Sequence, residues 1–203
     1  MAVITISRDL ASGGRKLGRL LSKKLGYAFV EKSLFQKIAE DLNVSERTLE
    51  SFEKSREYRI SNIFAGLFGK SYIQRIVGHD KTVVEEQEYQ NSLKNLILEV
   101  AKEDNVVIVG RAAYFFLKGI ENCYHFRIIA SMDWRKKYAA ENLGISNRMI
   151  VSTLNKSDTN QIWFRRLICG EEYDNPYFFH LTMNMDVISF KKAVKISASL
   201  IDK

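Results

Sequence analysis

The chain has 203 residues, 46% of them hydrophobic and 11% aromatic, with one proline. That supports one sizeable core, with an insertion at most, and excludes an extensively disordered chain. The net charge of +7 favours polyanionic partners such as nucleotides, nucleic acid or a membrane surface, although solvated Lys/Arg helix faces give the same excess.

In chain order, Ala2-Val3-Ile4-Thr5-Ile6 is an apolar, β-branched run that reads as a strand buried on both faces. The stretch Ser7-Arg8-Asp9-Leu10-Ala11-Ser12-Gly13-Gly14-Arg15-Lys16-Leu17-Gly18 follows. Leu17, Leu20, Leu21, Lys24 and Leu25 then fall at helical spacing, and Gly26 supplies a stop. The glycine pair thus stands where a strand turns into a helix. Unpaired N–H groups and the positive end of the helix dipole make that turn an anion cradle, and Arg15 and Lys16 add charge. The common phosphate-loop pattern ends Gly-Lys-Ser/Thr. Aligned without gaps, Gly14 stands in the lysine's place and Lys16 in that of the hydroxyl residue. The bland alternative is a turn whose small residues only let helix and strand pack closely.

Tyr27-Ala28-Phe29-Val30, ending at Glu31, reads as a second strand. A helix is predicted over 32–42 and another from Ser45. The stretch 57–82 is apolar, weakly periodic and basic, with Arg56, Arg59, Lys70 and Arg75 in or beside it. It reads as an insertion arching over a site or packing on a partner subunit in a homodimer, or as a helical hairpin completing the core. A long helix spans 83–103 by pattern. Val106-Val107-Ile108-Val109-Gly110-Arg111 is a buried strand ending in Gly-Arg. Open α/β sheets bind ligands at such strand ends, so Arg111 is a candidate phosphate clamp; the bland reading is a surface residue capping carbonyls.

Residues 124–130 read as the fourth strand, Ser131 as the N-cap of a helix, and Gly144 as its end. Helices are predicted over 147–155 and 158–169, a loop over 170–177 containing Pro176, and a fifth strand over 178–183. Asp186 or Ser189 caps a last helix. Cys123 and Cys169 are far apart and no His or Cys pair has metal-ligand spacing, which disfavours zinc and disulfides and fits a reducing cytoplasm. Neither a leader nor a membrane span is expected. Basic residues are dispersed over many helices, so nucleic-acid binding is not expected either.

Together Ile4-Thr5-Ile6-Ser7-Arg8, Ser12-Gly13-Gly14-Arg15-x-Leu17-Gly18 and Val107-Ile108-Val109-Gly110-Arg111 resemble the bacterial cytidylate kinase-like family. That family is a branch of the P-loop nucleoside monophosphate kinases. The resemblance covers nearly the whole chain, including Lys24-Leu25-Gly26-Tyr27 and the Asp174-x-Pro176 loop. It implies a single α/β domain over 1–203 with a five-stranded parallel sheet of order 2-3-1-4-5. The 57–82 insertion would cover the acceptor, and a lid at about 145–170 would cover the donor phosphates.

The implied activity is ATP-dependent phosphoryl transfer to a nucleoside monophosphate or related phosphate acceptor, with magnesium held through the ATP phosphates. Ser12, Gly13 and Gly14 would hold ATP, with Arg15 or Lys16 replacing the missing loop lysine. Arg111 would grip the acceptor phosphate, with Glu31 near its base or sugar and Arg8 close to the phosphates. Asp158, Arg165 and Arg166 would act from the lid. The sequence departs from the family pattern at Ala11, where glycine is usual, and at Ala112, where cytidylate kinases carry aspartate. It also lacks basic residues just after Asp158. A catalytically impaired nucleotide-binding module of the same fold is therefore the alternative.

Overall fold

Successive side chains of β1 (Val3–Arg8) serve opposite layers. Val3 joins the core on one face of the sheet, Ile4 and Ile6 join the core on the other, and all are at most 3% exposed. Burial on both faces leaves room for parallel neighbours only, each reached by a crossover. The computed structural model of the chain describes residues 2–31 and 86–201. The helices predicted over 32–42 and from Ser45, and the 57–82 insertion, lie outside the described residues.

The sheet comprises β1, β2 (Ala28–Glu31), β3 (Val106–Val109), β4 (Cys123–Ile129) and β5 (Leu181–Asn184). Its order is β2-β3-β1-β4-β5, every pair parallel, as expected. Helix α1 (Gly14–Leu25) lays Leu17 and Leu21 onto one face, among Ile4, Ile6, Val107, Val109, Phe126 and Ile128. Gly18 is needed in that stripe: a Cβ there would stand 2.9 Å from Val109 Cγ2 and 3.0 Å from Phe29. Lys23 and Lys24 favour the C-terminal end of the α1 dipole, and Gly26 closes the helix at φ 68°. The other face is covered by α2 (Glu86–Lys102), through Leu93, Leu96, Ile97 and Val100, and by the short α3 (Ala113–Phe116). Each buried leucine or isoleucine of these layers contributes about 1.5–3 kcal/mol.

Beyond β4 come α4 (Met132–Asn142), α5 (Asn147–Cys169) and, after β5, α6 (Phe190–Ser199). Two local expectations are corrected and one left open between two residues is decided. The two helices predicted over 147–155 and 158–169 are one helix of 23 residues. Its Ile150, Leu154, Arg165 and Ile168 are buried, and that packing overrides the weak helix propensity of Asn155 and Ser157-Asp158-Thr159-Asn160. The fifth strand starts later than predicted, because Asn175 accepts a hydrogen bond from Tyr177 N (3.0 Å) and winds Pro176–Phe178 into a 3₁₀ turn. Ser189, not Asp186, caps α6; Asp186 instead accepts hydrogen bonds from the backbone N–H (2.7 Å) and hydroxyl of Ser131, the cap of α4.

Candidate functional site

The turn from β1 into α1 is built as an anion cradle. Gly13 adopts φ 84°, which only glycine takes without strain, and the helical ladder opens with Leu17 N donating to Gly13 O at 2.9 Å. The N–H groups of Gly14, Arg15 and Lys16 therefore have no acceptor inside the helix, at the positive end of its dipole. Ser12 is fully buried, with Oγ 2.9 Å from Asp9 O and 3.1 Å from Ile128 O, which fixes the loop to β4. Ala11 sits at φ 62°, a left-handed conformation that glycine would adopt more cheaply. On the far side Arg135 donates from Nε to Leu10 O (2.8 Å) and grips Asp158 at 2.7 and 2.9 Å. The rings of Phe190 and Trp134 lie beside Gly13, and Tyr138 stacks on Trp134 at 5.0 Å.

The two cations that follow the glycines are engaged by neighbouring side chains. Arg15 makes a two-point pair with Glu31, both contacts 2.6 Å, and Arg19 adds a third at 3.0 Å. The hydrogen bond to Glu31 holds the Arg15 guanidinium above its usual range. Lys16 Nζ lies 4.6 Å from the centre of the Phe190 ring. Arg8 turns inward instead: its Cβ and Cγ would lie only 2.6 and 3.0 Å from a Cβ placed on Gly14. Its guanidinium reaches Gly110 and donates to Gln161 Oε1 at 3.2 Å.

At the carboxyl ends of β1, β3 and β4, four arginines meet. Arg127 lies opposite Ser7 in the β1–β4 register, donates to its Oγ at 3.0 Å, and contacts Asp9 (3.3 Å) and Asp174 (3.5 Å). Arg165, from α5, is 8% exposed; its Nη1 is 3.7 Å from Asp9, and neither its Nε nor its Nη1 makes a hydrogen bond. Arg111 stacks on Phe164 at 5.9 Å. Loss of water lowers the Arg8 guanidinium below its usual range; Asp9 opposes that shift, and Arg111 and Arg165 reinforce it. Burial lowers Arg127 likewise, Asp9 opposing and Arg165 reinforcing. Among the described residues, Asp9 and Asp174 contact Arg127, Asp9 also contacts Arg165, and Glu31 draws on Arg8, all in a partly dehydrated cleft. Guanidinium groups gathered in this way favour an anion or water beside them. Left-handed backbone frames the cleft: Gly110, Arg111 and Ala112 stand at φ 86°, 58° and 52°, a conformation that strains the two non-glycine residues.

Of the residues singled out from sequence, the structure brings Arg8, Arg111 and Arg165 together and sets Ser12, Gly13 and Gly14 beside them. It joins Glu31 to Arg15, ties Asp158 to Arg135, and leaves Arg166 at the rim, half exposed, between Glu171 and Tyr173. Asp9, Arg127 and Arg135 were not singled out. The signal was present for Arg127: in an otherwise apolar strand, His125 and Arg127 share one face, opposite Thr5 and Ser7.

A glycine cradle beside an arginine cleft, at the carboxyl end of a 2-3-1-4-5 sheet, suits a phosphorylated ligand. The model of the cytidylate kinase-like family matches residues 3–187. The chain belongs to the cytidylate kinase-like family. Solved structures share the fold of this family member at low identity. An uncharacterized protein from Eubacterium ventriosum superposes with a TM-score of 0.69 at 16% identity, covering 100% of this chain and 99% of that one. A shikimate kinase from Bacteroides thetaiotaomicron gives 0.50 at 14% identity, covering 100% and 99%. One from Acinetobacter baumannii, in complex with shikimate, gives 0.51 at 13%, covering 99% and 93%. Among curated proteins none matches the chain. The kinase-type, nucleotide-binding fold expected of the family is thus present. Among the described residues no helix is long and apolar enough to cross a membrane.

Proposed function

We propose that this chain transfers a phosphoryl group from ATP to a small phosphorylated acceptor, a nucleoside monophosphate of the cytidylate type first among them. The observation that carries the reading is the meeting of Arg8, Arg111, Arg127 and Arg165 at the strand ends beside the N-terminus of α1. Phosphoryl transfer needs mainly in-line positioning and neutralisation of charge on the transferred group. An acceptor oxygen forms the new bond to the γ-phosphorus while the bridging P–O bond breaks, its electron pair leaving on ADP.

In this reading the amides of Gly13, Gly14, Arg15 and Lys16 hold the ATP phosphates, with Ser12 fixing their loop. Arg111 holds the acceptor phosphate, and Arg165 neutralises charge between the two. Glu31, at the carboxyl end of β2, borders the acceptor. Arg166 contacts the donor from the rim when α5 moves inward. The 145–170 segment is the lid and the 57–82 insertion the acceptor-side flap, which together exclude water.

Among the described residues the donor set offers magnesium no prepared protein ligand: Lys16 stands where the loop hydroxyl would be, and Asp9 is taken up by Arg127 and Arg165. An ion carried on the ATP phosphates adds its charge there, and the protein's own contribution is the arginine cleft.

The test is a coupled assay of ATP consumption across nucleoside monophosphates and other small phosphorylated acceptors. Turnover of about 1–100 per second with one acceptor supports the enzyme. The second reading, an impaired nucleotide-binding module, draws on Ala11 at φ 62° and on the engagement of Asp158 with Arg135. It predicts stabilisation by ATP with no turnover on any acceptor.

A further inference from the structure

A phosphate loop usually carries its cation on the residue that begins the helix, as a lysine whose side chain spans the loop to the terminal phosphates. Here that position is Gly14, and the two cations beside it are already engaged: Arg15 is paired with Glu31, and Lys16 lies on Phe190. Arg8 enters the loop from the opposite end, the last residue of β1. Its stem passes so close to Gly14 that any side chain there would collide, with Cβ to Cβ at 2.6 Å. Missing side chain and inward arginine are two halves of one arrangement.

We infer that Arg8 does the work of the missing loop lysine: it spans the cradle from the β1 end and binds the terminal phosphates of the donor nucleotide, the bare Gly14 leaving it room. This rests on the reading of the cradle as a donor-nucleotide site. Three observations aim the Arg8 guanidinium at that task. It stands beside Gly110, at the end of the neighbouring strand β3, so it reaches the floor between the cradle and Arg111. Among the described residues its side-chain hydrogen bond goes to Gln161 of α5, a neutral group that a phosphate oxygen can displace. It is partly dehydrated, with Arg111 and Arg165 repelling it against the pull of Asp9 and Glu31, so an arriving phosphate adds to that pull as well as making bonds.

An arginine at this end differs from a lysine at the other. Its planar fork can contact two oxygens at once, on one phosphate or on neighbouring ones. Its anchor is the sheet, so its position does not depend on how the first turn of α1 is held. The binding of the terminal phosphates is thereby linked to the lid through Gln161.

The test is titration of the folded full chain with ATP–magnesium and, separately, with AMP, for the natural chain and for Arg8→Ala, Arg8→Gln, Arg15→Ala and the exchange Arg8→Gly/Gly14→Lys. The expected result is a loss of ATP affinity of about tenfold or more in Arg8→Ala and Arg8→Gln, with AMP affinity changed much less. Arg15→Ala loses less ATP affinity than either. The exchange moves the cation to its common position and removes the collision in the same step, so it regains most of the lost affinity. A merely structural Arg8 would lower ATP and AMP affinity alike, and the exchange would not rescue it. Either of those results, or natural ATP affinity in Arg8→Gln, overturns the inference and leaves the donor-site reading standing. Should the natural chain fold and bind no ATP, the donor-site reading falls and the inference with it. If Arg8→Ala does not fold, Arg8→Gln and the exchange decide the matter.

Discussion

Arg135 and Asp158 are joined by a two-point ion pair, 2.7 and 2.9 Å long, whose arginine also holds the carbonyl of Leu10 in the glycine loop. One guanidinium thus fastens α5 to α4 and both to the loop. Asp158, which the family resemblance suggests for the lid, is spent on that fastening in this conformation. Asp158→Ala leaves the Arg135 guanidinium, 5% exposed, without its counter-charge. Fully buried pairs lose about 3–5 kcal/mol when broken; with Asp158 partly open to solvent, a loss on the order of 2 kcal/mol is expected. Urea unfolding measures it, and an unchanged midpoint contradicts the fastening.

Gly18 sets how closely α1 approaches the sheet. Alanine in a helix interior normally gains up to about 1 kcal/mol over glycine. Here its methyl would lie 2.9 Å from Val109 and 3.2 Å from Ile6 Cδ1, and overpacking costs about 1–3 kcal/mol. Gly18→Ala is therefore destabilising on balance, by about 1 kcal/mol, read from the shift of the thermal midpoint. A more stable variant would show that the helix has room to shift.

His125 gives the fold an acid-sensitive point. Its Nδ1 is 2.9 Å from Thr5 Oγ1, and its ring lies 5.1 Å from that of His180. Burial, and then His180, lowers its pKa from 6.5 to about 4, while a hydrogen bond with the Leu117 backbone opposes the shift. The unfolded chain binds the proton more readily, so stability is complete above about pH 6.5 and is lost as pH falls toward 4. With 1.36 kcal/mol per unit, that loss is on the order of 3 kcal/mol. Unfolding free energies between pH 7 and 4 should fall more steeply in the natural chain than in His125→Asn. Parallel curves contradict this assignment.

Arg165 brings two unbonded N–H groups into the cleft. Inorganic phosphate should therefore raise the stability of the natural chain, by about 2.7 kcal/mol at 100 times its Kd. Arg165→Met should lose most of that response. Equal responses in both chains place the phosphate elsewhere.

How far the sequence foretells this site depends on the range of the contacts involved. The strands and the cradle are legible because they rest on local pattern: β-branched runs, a glycine pair, a helical stripe of leucines; the order of the strands is implied by the family resemblance. The continuity of α5 is not, since its middle is polar and is held by Arg135, 23 positions away in the chain. The inward turn of Arg8 is hidden for the same reason, because it follows from the missing side chain at Gly14. Arg15 and Lys16 look like loop cations in sequence, yet Glu31 and Phe190 claim them across the fold.

The most direct measurement is the structure of a crystal soaked with ATP, magnesium and a nucleoside monophosphate. The account predicts the triphosphate curled against the amides of Gly13 to Lys16, its end meeting Arg8, and the monophosphate on Arg111. A triphosphate bound elsewhere, with the cradle bare and Arg8 still on Gln161, would contradict it.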